Sequence, residues 1–137
     1  MICVDASIVV RLVLDGADGP AAALWGRWLS EREEFAAPSL LGYEVTNALH
    51  RYRMAGHIDS NQCVAALDAA LGLGVVLYEG ADVHRRALAL AARLQRPATY
   101  DTHYLAIAEK LGAPFWTADL RLYNAVRETL KWVHALA

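Results

Sequence analysis

Asp5, Glu44, Asp101 and Asp119 are far apart in the chain, yet each stands where an apolar strand or a proline break hands over to a helix. Asp5 directly follows Ile2-Cys3-Val4, and Asp119 comes just after Phe115-Trp116-Thr117. Asp101 falls in the first turn of a helix beyond Pro97, and Glu44 in the first two turns of a helix opened by Pro38. In an open parallel sheet the carboxyl ends of the strands, and the helix starts that follow them, face one edge, where ligands collect. Four acids brought to that edge repel one another and need a cation to be stable together. An all-oxygen donor set favours Mg2+ or Mn2+ over zinc or copper. Such an ion lowers the pKa of a bound water, polarises a phosphate and stabilises the leaving oxygen, and a pair about 3.5–4 Å apart clamps both oxygens of an in-line displacement. That chemistry suits phosphodiester hydrolysis. No competing apparatus is present: the chain has no G-x-S-x-G, no H-E-x-x-H and no glycine-rich phosphate loop.

The elements that must position these acids are read from apolar periodicity and breakers. Ile2-Cys3-Val4 predicts a buried strand, and Ser7 is expected to cap a helix over 8–14 that is apolar nearly all round except for Arg11. Asp15 to Gly19 predicts a turn, and Pro20 opens a helix to about Arg32. A short strand over 34–37 precedes a long helix from Leu40 to about Ala55, stopped by Gly56. Asp59-Ser60 starts another helix, to about Leu71. Val75 to Tyr78 reads as a strand, and 81–95 and 99–111 as helices, with Pro97 between them and Gly112 closing the second. Phe115-Trp116-Thr117 is a strand, Leu120 to Leu130 a helix and Trp132-Val133-His134 a last strand. Short apolar strands alternating with helices of ten or more residues predict an α/β fold: a three-layer α/β/α sandwich around a four- to five-stranded parallel sheet.

Bulk properties agree with one enzyme-sized domain over 1–137. The chain has 137 residues, 56% of them hydrophobic, and carries 13 Lys and Arg against 15 Asp and Glu. That is enough to bury a core without disulfides or a structural metal. The near-neutral balance argues against a DNA-coating protein, but not against a site whose acids are reversed in sign by metal. Cys3 and Cys63 form no C-x-x-C pair, and Cys3, in an apolar run, reads as a small core residue. No apolar run is long enough to span a membrane, and no signal peptide opens the chain, so the expected location is the cytoplasm.

Four segments resemble the motifs of PIN-domain nucleases: Val4-Asp5-Ala6-Ser7, Pro38 to Leu49 around Glu44, Tyr100-Asp101-Thr102-His103-Tyr104 running on to Ala108, and Trp116-Thr117-Ala118-Asp119. Each is weak alone; all four in order over nearly the whole chain are a strong signal, and the compact length looks most like the VapC-type toxins of bacterial toxin–antitoxin pairs. The resemblance implies a Mg2+- or Mn2+-dependent endoribonuclease, dimeric, inhibited by a small antitoxin. It makes Asp5 and Asp101 the firmest metal ligands, with Glu44 and Asp119 completing the pocket. Ser7 and Thr117 would orient those ligands, as would Asn47, which shares a helix face with Glu44. Many relatives carry another acid where this chain has Arg121, which points to a single resting metal.

Blander readings exist for each residue alone. Asp101 and Asp119 are also what a helix start favours, Asp5 could be a turn residue, and Glu44 a solvated surface acid. Arg51, on the face of Glu44, is either a phosphate contact or a snorkelling surface arginine. Arg11 is expected in an ion pair or at substrate. Trp25 and Trp28 form a stripe for core or dimer packing; with the apolar 8–14 helix they predict a homodimer with a groove for an antitoxin segment. His103 is rotated by about 200° from Asp101 on a helix, which turns it away from the acids. Two other functions compete: a PIN-like binding module without activity, and a phosphatase of the haloacid-dehalogenase type. The latter needs an Asp two residues after Asp5, where this chain has Ser7.

Overall fold

The structure is a computed structural model and describes residues 1–136. The elements run β1 (Ile2–Val4), α1 (Ala6–Leu14), α2 (Pro20–Ser30), β2 (Phe35–Pro38), α3 (Leu40–Met54), α4 (Ser60–Leu71), β3 (Val76–Tyr78), α5 (Ala81–Arg93), α6 (Tyr100–Leu111), β4 (Phe115–Thr117), α7 (Leu120–Val126) and β5 (Val133–Ala135). The five strands are all parallel, in the order β3-β2-β1-β4-β5. Ile2 pairs with Phe35, and Val4 with Trp116. From β1 the chain steps outward through β2 to β3, then crosses back to β4 and steps outward again to β5. Right-handed crossovers therefore put α1 to α4 on one face and α5 to α7 on the other. The packing agrees: α1 touches α2, α3 and α4, while α5 lies along α6, which covers β1, β2 and β4.

Burial follows from that layering. Every residue of β1 and β2 is buried, as the central strands of a doubly covered sheet should be. On α6 the run Tyr104-Leu105-Ala106-Ile107-Ala108 is buried without interruption. At the far edge, Val76 and Leu77 of β3 are each about half exposed. Trp25 stacks on Phe35 with centroids 3.9 Å apart, and Trp28 meets Trp116 edge-on at 5.5 Å, so α2 is pinned to the sheet by aromatic contacts.

Two expectations are corrected and two open readings are decided. Ser7 is not the cap of α1: Asp5 is, and the helix begins two residues earlier than predicted, because the Asp5 carboxylate reaches the Ile8 N–H. The last helix stops at Val126 rather than Leu130, the chain closing there in turns. Of the two readings of Trp25 and Trp28, core packing holds, at 5% and 3% exposure, while α1 packs on α2, α3 and α4 with Ile8, Val9 and Val10 buried and Leu12, Val13 and Leu14 partly exposed. Arg11 pairs with Asp15 at the end of its own helix, 3.1 Å away. The remaining differences are shifts of one or two residues at element ends, where helices fray.

Candidate active site at the β1–β4 edge

The strand order reverses between β1 and β4, the point at which parallel α/β sheets take their ligands. Asp5 is the residue after β1, and the register that sets Val4 beside Trp116 brings the end of β4 level with it. Its Oδ1 accepts hydrogen bonds from Ser7 Oγ at 2.5 Å and from the Ile8 N–H at 3.3 Å; its Oδ2 accepts from Thr117 Oγ1 at 2.5 Å. The network closes on itself. Ser7 Oγ accepts from the Ala118 N–H at 2.8 Å and lies 3.3 Å from Thr117 Oγ1, which accepts from the Asp119 N–H at 2.9 Å. Asp119 caps α7, its Oδ1 accepting from the Arg121 and Leu122 N–H groups at 3.0 and 3.2 Å. The helix-start reading of a lone Asp thus holds for Asp119, which caps with one oxygen, and for Asp101 in the first turn of α6, while Asp5, read alone as a turn residue, caps α1.

Glu44 and Asp101 come from helices on opposite faces. Tyr104, one turn after Asp101 on α6, donates its hydroxyl to Glu44 Oε1 at 2.6 Å and so ties α6 to α3. Arg96, in the segment before α6, approaches Asp101 Oδ2 at 3.6 Å.

The carboxylates share one electrostatic field. Burial pushes Asp5 up to about 6, against three hydrogen bonds that pull it down, and the charge of Asp101 raises it further. Glu44 is raised by burial, opposed by the Tyr104 hydroxyl, with Asp101 adding to the rise. Asp101 is raised by burial and then by the charge of Asp119, while Arg96 partly compensates. The phenol of Tyr104 is held protonated by burial and by the acids around it. Asp101 is the hub: it feels Asp119 and is felt by Asp5 and Glu44.

Beside this edge lies a cleft of about 390 Å³ lined by Ser7, Arg11, Glu44, Asn47, Arg51 and Tyr52, among others. Asn47 and Arg51 therefore share the Glu44 wall. Arg121 is exposed. His103 faces away from the acids, its Nδ1 on Thr99 O at 2.5 Å and its ring against His84. Sequence reasoning assigned no role to Tyr104 or Arg96. The spacing of Tyr104, three residues after Asp101, was a usable signal, since i and i+3 share a helix face; Arg96 stands in no motif and carried none.

Among the described residues, no three His, Cys, Asp or Glu side chains converge closely enough to hold a metal by themselves. Mg2+ commonly takes only one or two carboxylates and keeps water for the rest of its shell. Asp5 and Glu44 both feel the charge of Asp101, which in turn feels Asp119, and carboxylates in such a field are the donor chemistry of a hard cation site. The residues fit such an ion.

Comparison with known proteins places these features in a wider set. The family model described as "PIN domain" matches residues 2–128. The chain is 32% identical over 122 residues to a VapC ribonuclease of Mycobacterium bovis, covering 89% of this chain and 88% of that protein. It is 34% identical over 123 residues to Ribonuclease VapC1 of Mycobacterium tuberculosis, again covering 89% and 88%. Among solved structures, PAE2754 from Pyrobaculum aerophilum superposes with a TM-score of 0.72, covering 98% of this chain and 90% of that one at 24% identity, a likeness of fold.

Proposed function

The chain belongs to the PIN domain family, and from that membership we propose that it is a metal-dependent endoribonuclease serving as the toxin of a toxin–antitoxin pair. The single observation that carries the chemistry is the ring of hydrogen bonds that joins Asp5, Ser7, Thr117 and Asp119 at the point where the strand order reverses.

Asp5 and Asp101 would hold a Mg2+ or Mn2+ ion, with Glu44 and Asp119 completing the pocket directly or through water. When bound, the ion supplies an acidified water and a polarised phosphate. The chain's own residues do the rest. Ser7 and Thr117 hold both Asp5 oxygens in fixed orientation. Tyr104 keeps Glu44 turned toward the site, and Asp119 keeps Oδ2 free of the backbone donors that its Oδ1 accepts. Asn47 and Arg51 line the cleft along which an RNA strand would run, with Arg51 placed to meet a phosphate.

The partners follow from the same membership: RNA as substrate, a small antitoxin, and a second copy of the chain. Leu71 and Leu77 are exposed apolar side chains beside one groove and form a surface open to a partner. None of the described helices is long and apolar enough to cross a membrane; we place the protein in the cytoplasm, as one domain over 1–137.

The test is RNA cleavage with Mn2+ or with EDTA, for the wild type and Asp5→Asn. Cleavage that needs Mn2+ and falls by at least about 100-fold in the variant is expected, since a metal's stabilisation of the transition state is worth several kcal/mol. Equal cleavage by both proteins removes Asp5 from the site. No cleavage of any RNA by the wild type replaces the nuclease with a binding module.

A further inference from the structure

A second cleft, of about 300 Å³, opens at the same sheet edge but on the β2–β3 side. Its floor is apolar, from Pro38, Leu40 and Val83, and two strongly exposed aromatic side chains stand on its walls, Tyr43 at 77% and Tyr100 at 61%. Each tyrosine is the immediate chain neighbour of a site acid, Tyr43 of Glu44 and Tyr100 of Asp101. An exposed single tyrosine needs no explanation; two on one concave wall next to the reacting centre do.

The carboxylate of this cleft is Glu79. Its Oε2 is oriented by Ser39 Oγ at 3.2 Å, which leaves Oε1 for a ligand. His103 Nδ1 donates to the Thr99 carbonyl at 2.5 Å, and its Nε2 lies 2.8 Å from His84 Nδ1. No Lys or Arg lines it, and Glu79 repels phosphate. The ligand that fits is planar, apolar on its faces and rich in N–H donors along one edge.

We propose that this cleft is a nucleotide-selecting subsite that takes one unpaired base next to the scissile phosphate. Tyr43 and Tyr100 stack on the base, while the Glu79 carboxylate accepts from its ring and exocyclic N–H groups. Guanine, whose Watson–Crick edge carries adjacent N1–H and N2–H2 donors, matches best; uracil, with a single N–H between two carbonyls, matches worst. The inference rests on the nuclease reading, because it makes RNA the ligand.

Binding is measured in EDTA, so that no metal-dependent cleavage intervenes, by anisotropy of labelled UUGUUU and UUUUUU hexamers. The wild type is expected to bind the guanine hexamer roughly tenfold more tightly. Tyr100→Ala combined with Tyr43→Ala should weaken that binding by at least about tenfold, with Tyr100→Phe retaining it. Glu79→Gln should bring the two hexamers to equal affinity. Because these side chains are exposed, unchanged circular dichroism is expected of every variant. Equal wild-type affinity for both hexamers, unaltered binding by the double tyrosine variant, or no binding of either hexamer overturns the subsite. Cleavage of a long RNA with Mn2+ is scored separately: cleavage without guanine preference removes the subsite alone, whereas guanine-selective binding without cleavage removes the nuclease reading and keeps the subsite.

Discussion

The strand-borne half of the acidic edge and its helix-borne half are held in different ways. On the strand side, Asp5 is buried with donors on both oxygens, and Ser7, Thr117 and the backbone of 118–119 close a ring of hydrogen bonds around it. On the helix side, Glu44 and Asp101 are half-buried and each takes one side-chain partner, from Tyr104 and Arg96 respectively. The first half has its oxygens fixed by hydrogen bonds; the second keeps lone pairs that, under the proposed function, would meet a cation. A site with one fixed and one adaptable wall combines preorganisation with a resting charge that the fold alone tolerates poorly.

Removing the buried charge is the sharpest way to break that contrast. The folded-state pKa of Asp5 lies near 6, above the value of 3.8 expected in the unfolded chain. Between those values the folded protein binds more protons, so its stability falls as pH rises from about 4 to about 6 and is flat in this group beyond. The full loss is about 3 kcal/mol. Thermal melting of metal-free protein should show it, Mg2+ or Mn2+ should abolish most of it, and Asp5→Asn should melt higher than wild type above pH 6 while losing cleavage. A wild-type melting temperature that climbs through this pH range without metal would place the Asp5 carboxylate in a solvated setting.

Thr117→Val tests the closed ring itself. It strips one donor from Asp5 and leaves the Asp119 N–H without its acceptor. A loss of about 1–3 kcal/mol is expected, together with a further upward move of the Asp5 titration and a roughly 10–100-fold weaker apparent Mn2+ affinity. The smallest effects belong to the helix side. Tyr104→Phe should cost about 1 kcal/mol in chemical unfolding and lower cleavage by about tenfold through Glu44. Equal losses from Thr117→Val and Tyr104→Phe in metal affinity would erase the distinction between the two walls.

Much of the fold was legible in the residues because strongly apolar runs bounded by Gly and Pro leave few alternatives: Ile2–Val4, Phe115–Thr117 and the helix ended by Gly112 lie where the pattern puts them. The four acids were legible as members of motifs, not as a geometry. What escaped notice was relational. Tyr104 looked like one more aromatic residue on a buried helix until α6 was packed against α3, and Arg96 belonged to no motif. The tryptophan stripe was legible as apolar, but the choice between core and dimer packing was not, since periodicity gives the face of a helix and not what covers it.

Residue types and their spacing were sufficient for the class of fold, the parallel sheet and the acidity of its edge, because burial patterns and strand-to-helix junctions are local properties of the chain. Packing alone settled that β1 and β4 are neighbours, that α1 packs against α2, α3 and α4, and that Asp5 is held by the hydroxyl of Thr117 from more than a hundred positions away. Those are long-range pairings, and their free energy exists only once the sheet order has brought the partners together.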